Sequence, residues 1–422
     1  MIENENKPSR AVLVAVDLGE YDVEVSLDEL SELATTAGAE VTGRVVQKRE
    51  SYDSATCIGS GRLAEIALFC QNTESDLLIF DCELTATQLR NVEQATGVRA
   101  IDRTMLILDI FAMRARTREG RLQVELAQQK YLLPRLAGLG TALSRLGGGI
   151  GTRGPGETKL ESDRRHIRRR IRALEEQLEE LKKRRMNTHN RRKKDNATVV
   201  AIVGYTNAGK STLLGRLTGS DIYVENQLFA TLDPTARALE LPNGEQVVLI
   251  DTVGFIRRLP HHLVEAFQST LEEAMYADLL LNVCDVTDSD IDEKIQVTQS
   301  LLEQLGAGDK PLITVLNKCD LALQTPFCNN DKTVAVSAAT GEGIDRLLDS
   351  IEKYIPPKFA RVALQIPYAQ ANLLGQIRAH GKVFSESFEE DGTLIDVNLE
   401  LPMLSRVREY VVSAKDKGSD EI

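Results

Sequence analysis

Residues Val199–Thr212, VVAIVGYTNAGKST, carry the strongest structural signal in this chain of 422 residues. An apolar, mostly β-branched run leads directly into the pattern G-x-x-x-x-G-K-[ST], and a helix-forming run follows it. This strand–loop–helix context separates a phosphate-binding loop from a turn that merely caps a helix. Lys210 would neutralise the β- and γ-phosphates, and the hydroxyl of Ser211 would bind Mg²⁺. The predicted loop comprises Gly204, Tyr205, Thr206, Asn207, Ala208, Gly209, Lys210, Ser211 and Thr212.

The chain downstream of this loop supplies further groups suited to a phosphate-bound metal ion. Asp251-Thr-Val-Gly254 follows a predicted strand, so Asp251 can hold Mg²⁺ through water and the Gly254 N–H can reach a γ-phosphate. Thr231 lies between Ser211 and Asp251 and is the natural second hydroxyl ligand once a γ-phosphate is present. The predicted metal ligands are Ser211, Thr231 and Asp251, and the predicted catalytic groups are Lys210, Thr231 and Gly254. Further predicted nucleotide contacts are Phe229, Ala230, Leu232, Asp233, Thr252 and Val253.

Two more motifs point to guanine as the base. The residues Asn317, Lys318, Cys319 and Asp320 follow an apolar run, and Asp320 can accept hydrogen bonds from guanine N1–H and N2–H₂. Adenine lacks this donor pair and would leave the carboxylate unpaired, and sites built on such hydrogen bonds discriminate ~10⁴-fold or more. The loop of Ser337, Ala338 and Ala339 follows the next strand and can offer a backbone N–H to guanine O6. The ordered motifs therefore predict a GTP-binding domain.

Alternating strand and helix signals predict a mixed α/β fold in several domains. The central domain has the doubly wound pattern, in which the ends of parallel strands carry the binding loops. We expect four parts: an N-terminal parallel α/β domain (1–117), a long antiparallel helical hairpin (118–195) with a glycine-rich loop (147–156), a P-loop GTPase domain (196–357), and a small α+β C-terminal domain with a disordered tail (358–422).

The predicted hairpin has a heptad seam and one interruption. Its apolar residues follow coiled-coil spacing at Leu160, Ile167, Ile171, Leu174, Leu178 and Leu181. The stretch Gly147–Gly156 contains six glycines, a density at which no helix persists. Before the glycines, leucines between Leu122 and Leu139 can supply the facing helix, which Pro134 must kink or break.

The formal net charge of −12 conceals a basic arm. Residues 162–194 hold 14 Lys and Arg against five Asp and Glu. An acidic protein with one basic arm repels polyanions broadly but can present that arm to one of them. A solvated helix face and a polyanion-binding face both fit this pattern, and phosphate contacts would make affinity fall steeply with salt. The candidate RNA contacts are Arg153, Arg164, Arg165, Arg168, Arg169, Arg170 and Arg172.

Composition excludes several other classes of protein. With 42% hydrophobic and 27% charged residues, the chain is neither disordered nor collagenous, and its apolar runs fall far short of the ~20 residues that a membrane span needs. The polar N-terminus shows no secretion signal. Six cysteines without a Cys-x-x-Cys pair indicate reduced thiols, and five histidines include no His-Glu-x-x-His. We expect a cytoplasmic monomer without stable membrane insertion, and peripheral membrane association stays open.

Four longer stretches resemble one known family. GYTNAGKST (204–212), LFATLDPT (228–235), DTVGFIRRLP (251–260) and GGGIGTRGPGETKLESDRR (147–165) are similar to the HflX family of ribosome-associated GTPases, within the Obg–HflX group. The resemblance spans roughly residues 10–357 and is less distinct beyond them. It implies binding to the large ribosomal subunit and separation of stalled or idle ribosomes into subunits under stress. It also implies weak GTP hydrolysis that the ribosome stimulates, with the helical hairpin entering the large subunit.

Individual positions qualify the expected chemistry. Phe255 stands where many GTPases have a Gln that orients the attacking water, so we predict slow intrinsic turnover and a catalytic group from elsewhere. Arg257 and Arg258 either act in cis or anchor this segment to RNA or to acidic side chains. Asn207 either helps to hold K⁺ as an extra positive charge or only stabilises its loop.

Three other functions stay open from the sequence alone. The chain could act as an assembly GTPase on precursors of the large subunit. It could instead be an RNA-binding adaptor whose hairpin carries the function. An additional ATP site in the N-terminal domain rests on Gly59-Ser60-Gly61, which either holds a phosphate or forms a tight turn.

Overall fold

The computed structural model describes residues 8–136, 159–194, 197–219, 228–229, 231–258, 263, 271–322, 331–355 and 358–412. Among these residues are a four-stranded, a six-stranded and a three-stranded sheet with helices around them, which confirms the predicted mixed α/β fold. The predicted glycine-rich loop with Arg153, the nucleotide contact Ala230 and the tail 413–422 lie outside the described residues.

The N-terminal sheet has four parallel strands, and helices cover both of its faces. Its strands are β1 (Arg10–Asp17), β2 (Glu40–Lys48), β3 (Leu77–Phe80) and β4 (Arg99–Asp102), in the spatial order β2-β1-β3-β4. Its helices are α1 (Val23–Thr36), α2 (Ser60–Thr73), α3 (Ala86–Thr96) and α4 (Arg103–Arg114). Between its charged ends, strand β1 is apolar because both of its faces are buried. Leu13 packs into one hydrophobic core and Val12 into the other.

The sequence alone does not predict helix α4, because neither glycine nor proline separates it from β4. Asp102 ends the strand and also caps the helix, since its Oδ1 accepts the Met105 N–H at 2.9 Å. Ile107, Ile110 and Phe111 are fully buried, so one face of α4 belongs to the core of this domain.

Two long helices follow, α5 (Arg118–Arg135) and α6 (Lys159–Lys194). Thr117 caps α5 by accepting a backbone N–H of its first turn at 2.9 Å. Pro134 lies in the last turn of α5, so the predicted break falls at the end of the helix. Leu174 is the fully buried member of the predicted heptad seam, and Ile171 and Leu178 beside it are half-buried.

The central sheet has six strands, of which β6 alone runs antiparallel to its neighbour. Its strands are β5 (Thr198–Gly204), β6 (Thr235–Glu240), β7 (Gln246–Asp251), β8 (Leu279–Asp285), β9 (Leu312–Asn317) and β10 (Thr333–Ala335). They lie in the order β10-β9-β8-β5-β7-β6 and are flanked by α7 (Lys210–Thr218), α8 (Ile291–Gln304) and α9 (Ile344–Tyr354). Strand β5 is buried along its length, so the phosphate loop emerges at the centre of the sheet. The sequence does not predict β6, because this edge strand is mostly exposed and lacks an apolar run.

The C-terminal part is a three-stranded antiparallel sheet with its own hydrophobic core. Its elements are β11 (Phe359–Ile366), α10 (Ala371–Ala379), β12 (Gly381–Glu389), β13 (Gly392–Glu400) and α11 (Leu401–Arg406). This combination of an antiparallel sheet and helices is the α+β type predicted for this part of the chain. Strand β13 lies in the middle and pairs with both others.

Candidate active site

The phosphate loop leaves the carboxyl end of β5 and runs directly into α7. Gly209, the last residue before α7, has φ +90°, in the left-handed region that favours glycine. A Cβ at Gly209 would lie 2.3 Å from the amide nitrogen of Asn317, so the close approach also requires glycine. The positive end of the α7 dipole therefore lies at this loop, where it stabilises an anion.

Lys210 is buried at the start of α7. Its ammonium group donates to the Tyr205 carbonyl oxygen over 2.7 Å. Burial lowers the pKa of Lys210 to about 8, against the opposing attraction of Asp251. Burial disfavours the charged form of Lys210, and a bound phosphate would stabilise that form. The surroundings of Lys210 therefore fit the role predicted for it.

The three predicted metal ligands converge on one place. Ser211 Oγ donates to Asp251 Oδ2 over 2.7 Å and lies 2.8 Å from Thr231 Oγ1. The other carboxylate oxygen, Asp251 Oδ1, is buried and has no hydrogen-bond partner among the described residues. Burial raises the pKa of Asp251, so its ionised form needs a nearby cation. Two hydroxyls and a carboxylate are hard oxygen donors of the kind that Mg²⁺ prefers, and these residues fit that ion.

Gly254 and Phe255 join the second motif to the phosphate loop. The Phe255 N–H donates to the Gly204 carbonyl over 3.0 Å, and the Phe255 carbonyl accepts the Thr206 N–H over 2.8 Å. A Cβ at Gly254 would lie 2.7 Å from Thr206 Cα and 2.9 Å from Lys210 Nζ, so only glycine fits there. The Phe255 side chain is buried and has no polar atom with which to orient an attacking water.

The residues predicted to recognise the base are tied to the phosphate loop through Asn317. Its side-chain amide donates to the Ala208 carbonyl over 2.9 Å and accepts the Ala338 N–H over 2.9 Å. Asp320 accepts from Ser337 Oγ over 2.6 Å, which fixes the position of its carboxylate. The structure thus brings the phosphate loop and both predicted guanine loops into one site.

Lys318 has a partner that sequence reasoning missed. Its backbone has φ +65°, and its ammonium group lies 2.5 Å from Asp285 Oδ2. Asp285 belongs to none of the motifs, but it is the polar last residue of the buried strand β8. A polar residue at the end of a parallel strand is a position from which its place in the site could have been predicted. The neighbouring Cys319 N–H donates to the Val336 carbonyl over 3.2 Å, which joins the two guanine loops.

Residues 228–233, which we call the Thr231 segment, are held from outside the GTPase domain. The Asp233 carboxylate accepts the backbone N–H groups of Arg116 and Thr117, each over 2.9 Å. These two residues immediately precede α5, and Thr117 is its N-cap. The predicted metal ligand Thr231 is therefore two residues away from a direct bond to the helical part of the chain.

The side chain of Phe229 contacts the N-terminal domain. Its ring packs edge-on against Phe111 of α4, with ring centroids 4.8 Å apart. Leu232 is buried in the same hydrophobic core. The side chains of Phe229 and Asp233 therefore anchor the segment to α4 and to the residues before α5. Their contact with the nucleotide stays a prediction.

Residues 251–258, which we call the Gly254 segment, are anchored to the N-terminal domain. Arg258 donates to Asp81 Oδ2 over 2.8 Å and to the Asp81 carbonyl over 3.0 Å. Arg103 donates to Asp81 Oδ1 over 2.9 Å and to the Arg257 carbonyl over 3.1 Å. Asp81 and Arg103 are only 1% and 3% exposed, so this is a buried ionic cluster. Sequence reasoning missed both residues, although Asp81 directly follows the buried strand β3.

The structure narrows the roles left open for the two arginines of this segment. The Arg257 guanidinium lies 3.2 Å from Asp290 and 3.1 Å from Glu293, near the start of α8. Together with the pairing of Arg258 to Asp81, this shows contacts with acidic side chains. Both arginines therefore act as anchors of the Gly254 segment in this conformation.

The predicted RNA contacts on α6 differ in their pairing and exposure. Arg170 forms a two-pronged ion pair with Glu125 of α5, at 2.6 and 2.7 Å, so it joins the two helices. Arg164 is half-buried, and the exposed members are Arg165, Arg168, Arg169 and Arg172. Farther along α6, Arg185 donates to Glu272 over 2.8 Å and so ties the helix to the GTPase domain.

Two features outside this site bear on the other predictions. The Gly59 N–H donates to Gln47 Oε1 over 2.8 Å at the start of α2, which favours the tight turn over a phosphate site. In the part of the chain that the structure describes, no helix combines the length and hydropathy that crossing a membrane requires.

Comparison with known proteins covers most of the chain. Family models match residues 24–112 (GTP-binding GTPase N-terminal), 114–192 (GTP-binding GTPase middle region), 199–318 (50S ribosome-binding GTPase) and 322–406 (HflX C-terminal domain). GTPase HflX from Caldanaerobacter subterraneus subsp. tengcongensis is 56% identical over 96% of this chain and 94% of its own length. GTPase HflX from Escherichia coli K12 is 39% identical over 96% of each chain. A crystal structure of a Sulfolobus solfataricus GTP-binding protein in complex with GDP is 26% identical, with a TM-score of 0.45, over 82% of this chain and 98% of that one.

Identity of this size over nearly the full length of both chains establishes the family directly. It agrees with the site, where the phosphate loop, the two guanine loops and the Gly254 segment meet at the carboxyl edge of one sheet. The chain therefore belongs to the HflX family of GTPases and hydrolyses GTP to GDP and phosphate.

Proposed function

We propose that this GTPase binds the large ribosomal subunit and, in its GTP-bound form, separates stalled or idle ribosomes into subunits. The observation that carries the proposal is the bond from Asp233 to the N–H groups just before α5, two residues from Thr231. Helix α5 packs along α6, whose exposed arginines suit the phosphates of ribosomal RNA. A γ-phosphate that repositioned Thr231 would therefore act on the basic arm. The family description of a 50S ribosome-binding GTPase supports the same partner.

We propose Mg²⁺ as the cofactor, held by Ser211, Thr231 and Asp251. Bound there, the ion would neutralise charge on the β- and γ-phosphates. The chain itself supplies the remaining groups. Lys210 brings a second positive charge, and the Gly254 N–H donates to the γ-phosphate. The Thr231 segment is bonded through Asp233 to the residues before α5. A γ-phosphate that moves Thr231 would therefore also move this bond.

We further propose that intrinsic hydrolysis is slow and that the ribosome supplies the missing catalytic group. Phe255 is buried, so a water-orienting group must come from another residue or from the partner. Asn207 has φ +61°, a conformation that Asn tolerates better than most residues and that fits a loop-stabilising role. Assistance by K⁺ is the alternative, and equal hydrolysis rates in Na⁺ and K⁺ at fixed ionic strength would remove it.

Sucrose-gradient sedimentation of purified, salt-washed ribosomes tests the proposal. With the protein and a non-hydrolysable GTP analogue, we expect loss of the intact-ribosome peak and co-migration of the protein with the large subunit. With GDP, the ribosome peak should persist. An assembly GTPase would leave mature ribosomes intact with either nucleotide. If the protein were a non-enzymatic adaptor, the Lys210→Ala variant would split ribosomes as well as the wild type does. Intact ribosomes with both nucleotides, or full activity of this variant, would overturn the proposal.

A further inference from the structure

Two cysteine thiols meet in the N-terminal domain, although the sequence gives no sign of it. Cys57 Sγ and Cys82 Sγ lie 3.2 Å apart, and the two residues are 25 positions apart in the chain. Cys57 closes a short loop in which its N–H and carbonyl both bond to Asp53, at 2.9 and 3.0 Å. Its φ of +68° is an unusual conformation for a residue other than glycine. A strained residue that is held in contact with a second thiol suggests a functional pair.

The chemistry of the pair is unequal. The two thiols lie within hydrogen-bond distance, and their contact lowers the pKa of Cys57. The same contact, together with burial, raises the pKa of Cys82. Cys57 is therefore the residue of the pair that ionises first. Cys57 is buried and Cys82 is half-buried, so an oxidant must pass Cys82 to reach the Cys57 sulfur.

The position of the pair connects it to the nucleotide site. Cys82 directly follows Asp81, the residue that binds Arg258 of the Gly254 segment and Arg103 beneath it. A disulfide bond needs about 2.05 Å between the sulfurs, more than 1 Å less than their present separation. Forming that bond brings the two Sγ atoms closer together, and a shift of the Cys82 backbone would displace the adjoining Asp81.

We propose that Cys57 and Cys82 form a reversible disulfide in the presence of hydrogen peroxide, and that this bond alters the Asp81 anchor and thereby the rate of GTP hydrolysis. The Cys57 thiolate attacks one peroxide oxygen: an S–O bond forms, the O–O bond breaks, and the departing hydroxide takes a proton to become water. Cys82 then attacks the Cys57 sulfur, so that the S–S bond forms and the S–O bond breaks. A second hydroxide leaves and is protonated. The pair thus loses two electrons to the peroxide, and a thiol reductant restores them.

The covalent step is tested with the purified full chain and hydrogen peroxide as the probe. We expect an intact mass lower by two hydrogen atoms and one linked peptide pair that contains Cys57 and Cys82, reversed by dithiothreitol. Cys70→Ser, which removes another buried thiol of this domain, should leave the link intact, whereas Cys82→Ser and Cys57→Ser should each abolish it. Separate sulfinic acids without a linked peptide, or thiols that stay reduced, would overturn the proposal.

The functional step is tested by measuring single-turnover GTP hydrolysis before and after oxidation. We expect a change of about fivefold or more in the wild-type protein, the lower range of typical coupling between two sites. The rate should return with dithiothreitol, and the same peroxide treatment should leave the rate of Cys82→Ser unchanged. Equal hydrolysis rates for the disulfide-linked and the reduced wild-type protein would overturn the proposal that the disulfide acts on the Gly254 segment. This inference depends on GTP hydrolysis and not on the proposed action on ribosomes.

Discussion

The two ends of the nucleotide site are built in different ways. At the guanine end, the hydrogen bonds of Asn317 and Asp320 stay within the GTPase domain. At the γ-phosphate end, Asp233 binds the residues that precede α5, and Arg258 binds Asp81 of the N-terminal domain. The groups proposed to recognise the base are thus held locally, whereas the groups proposed to respond to the γ-phosphate are bonded to the rest of the chain.

The largest expected effect lies at the guanine end. Asp320→Ala removes the carboxylate that Ser337 positions and leaves the guanine N–H donors unpaired. We expect the affinity for GTP to fall ~10⁴-fold, as for other sites that lose a matched hydrogen-bond partner. GDP should lose the same factor because the two nucleotides share the base. Titration calorimetry measures both, and a much smaller loss for GDP would contradict a purely local base site. Asp345→Ala, an exposed acid at the start of α9, serves as the control.

The next effect concerns stability at the γ-phosphate end. Asp81→Ala leaves Arg103 and Arg258 without their shared carboxylate, and removing one partner of a buried ion pair costs about 3–5 kcal/mol of unfolding free energy. Urea unfolding followed by circular dichroism measures the loss. The matched control is Asp396→Ala, whose ion pair with Arg361 lies at the surface and should contribute far less. Equal losses in the two variants would mean that the cluster around Asp81 is no stronger than a surface ion pair.

A smaller effect appears as proton uptake at Lys210. Burial lowers its pKa to about 8 in the nucleotide-free protein, so about half of the molecules carry the charge at pH 8. Phosphate favours the charged form, and binding of GDP at pH 8 should therefore take up about half a proton. The uptake should vanish toward pH 6, where Lys210 is already charged. Calorimetry in two buffers of different ionisation enthalpy measures it, and proton release at pH 8 would contradict the assignment.

The same pKa sets the direction of a stability change. The unfolded chain keeps Lys210 protonated up to about pH 10.4, whereas the folded protein begins to release this proton near pH 8. Between these values the unfolded state binds more protons, so the contribution of Lys210 to stability rises with pH. The difference in unfolding free energy between the wild type and Lys210→Met, measured as a function of pH, isolates this contribution. A difference that changes against the wild type as the pH rises over this range would contradict the prediction.

The guanine end could be predicted from the sequence because each motif follows a strong local signal. Asn317 and Asp320 come directly after an apolar strand, and parallel strand ends meet at one edge of a sheet. The position of Gly209 just before α7 could also be predicted, because the loop between β5 and α7 is short and follows a recognisable strand. Local order along the chain was enough to place these groups in one site.

The anchors at the γ-phosphate end could not be predicted, because they depend on how separate parts of the chain pack. Asp81 and Arg258 are 177 positions apart, and Thr117 and Asp233 are 116 apart. Nothing in the spacing of one sequence relates such residues. Asp233 lies two residues from Thr231 in the sequence, and only the packing of α5 shows that its carboxylate binds the residues before that helix.

The most direct test of this division measures how strongly the nucleotide controls binding to the large ribosomal subunit. The dissociation constant is measured with a non-hydrolysable GTP analogue and with GDP, for the wild type, for Asp233→Asn and for the exposed control Asp309→Asn. We expect at least about a fivefold preference for the GTP analogue in the wild type and the control. In Asp233→Asn the preference should fall toward one while nucleotide affinity is preserved, because the anchor before α5 is weakened and the phosphate loop is not. A preference that survives unchanged in Asp233→Asn would contradict transmission from Thr231 to the basic arm.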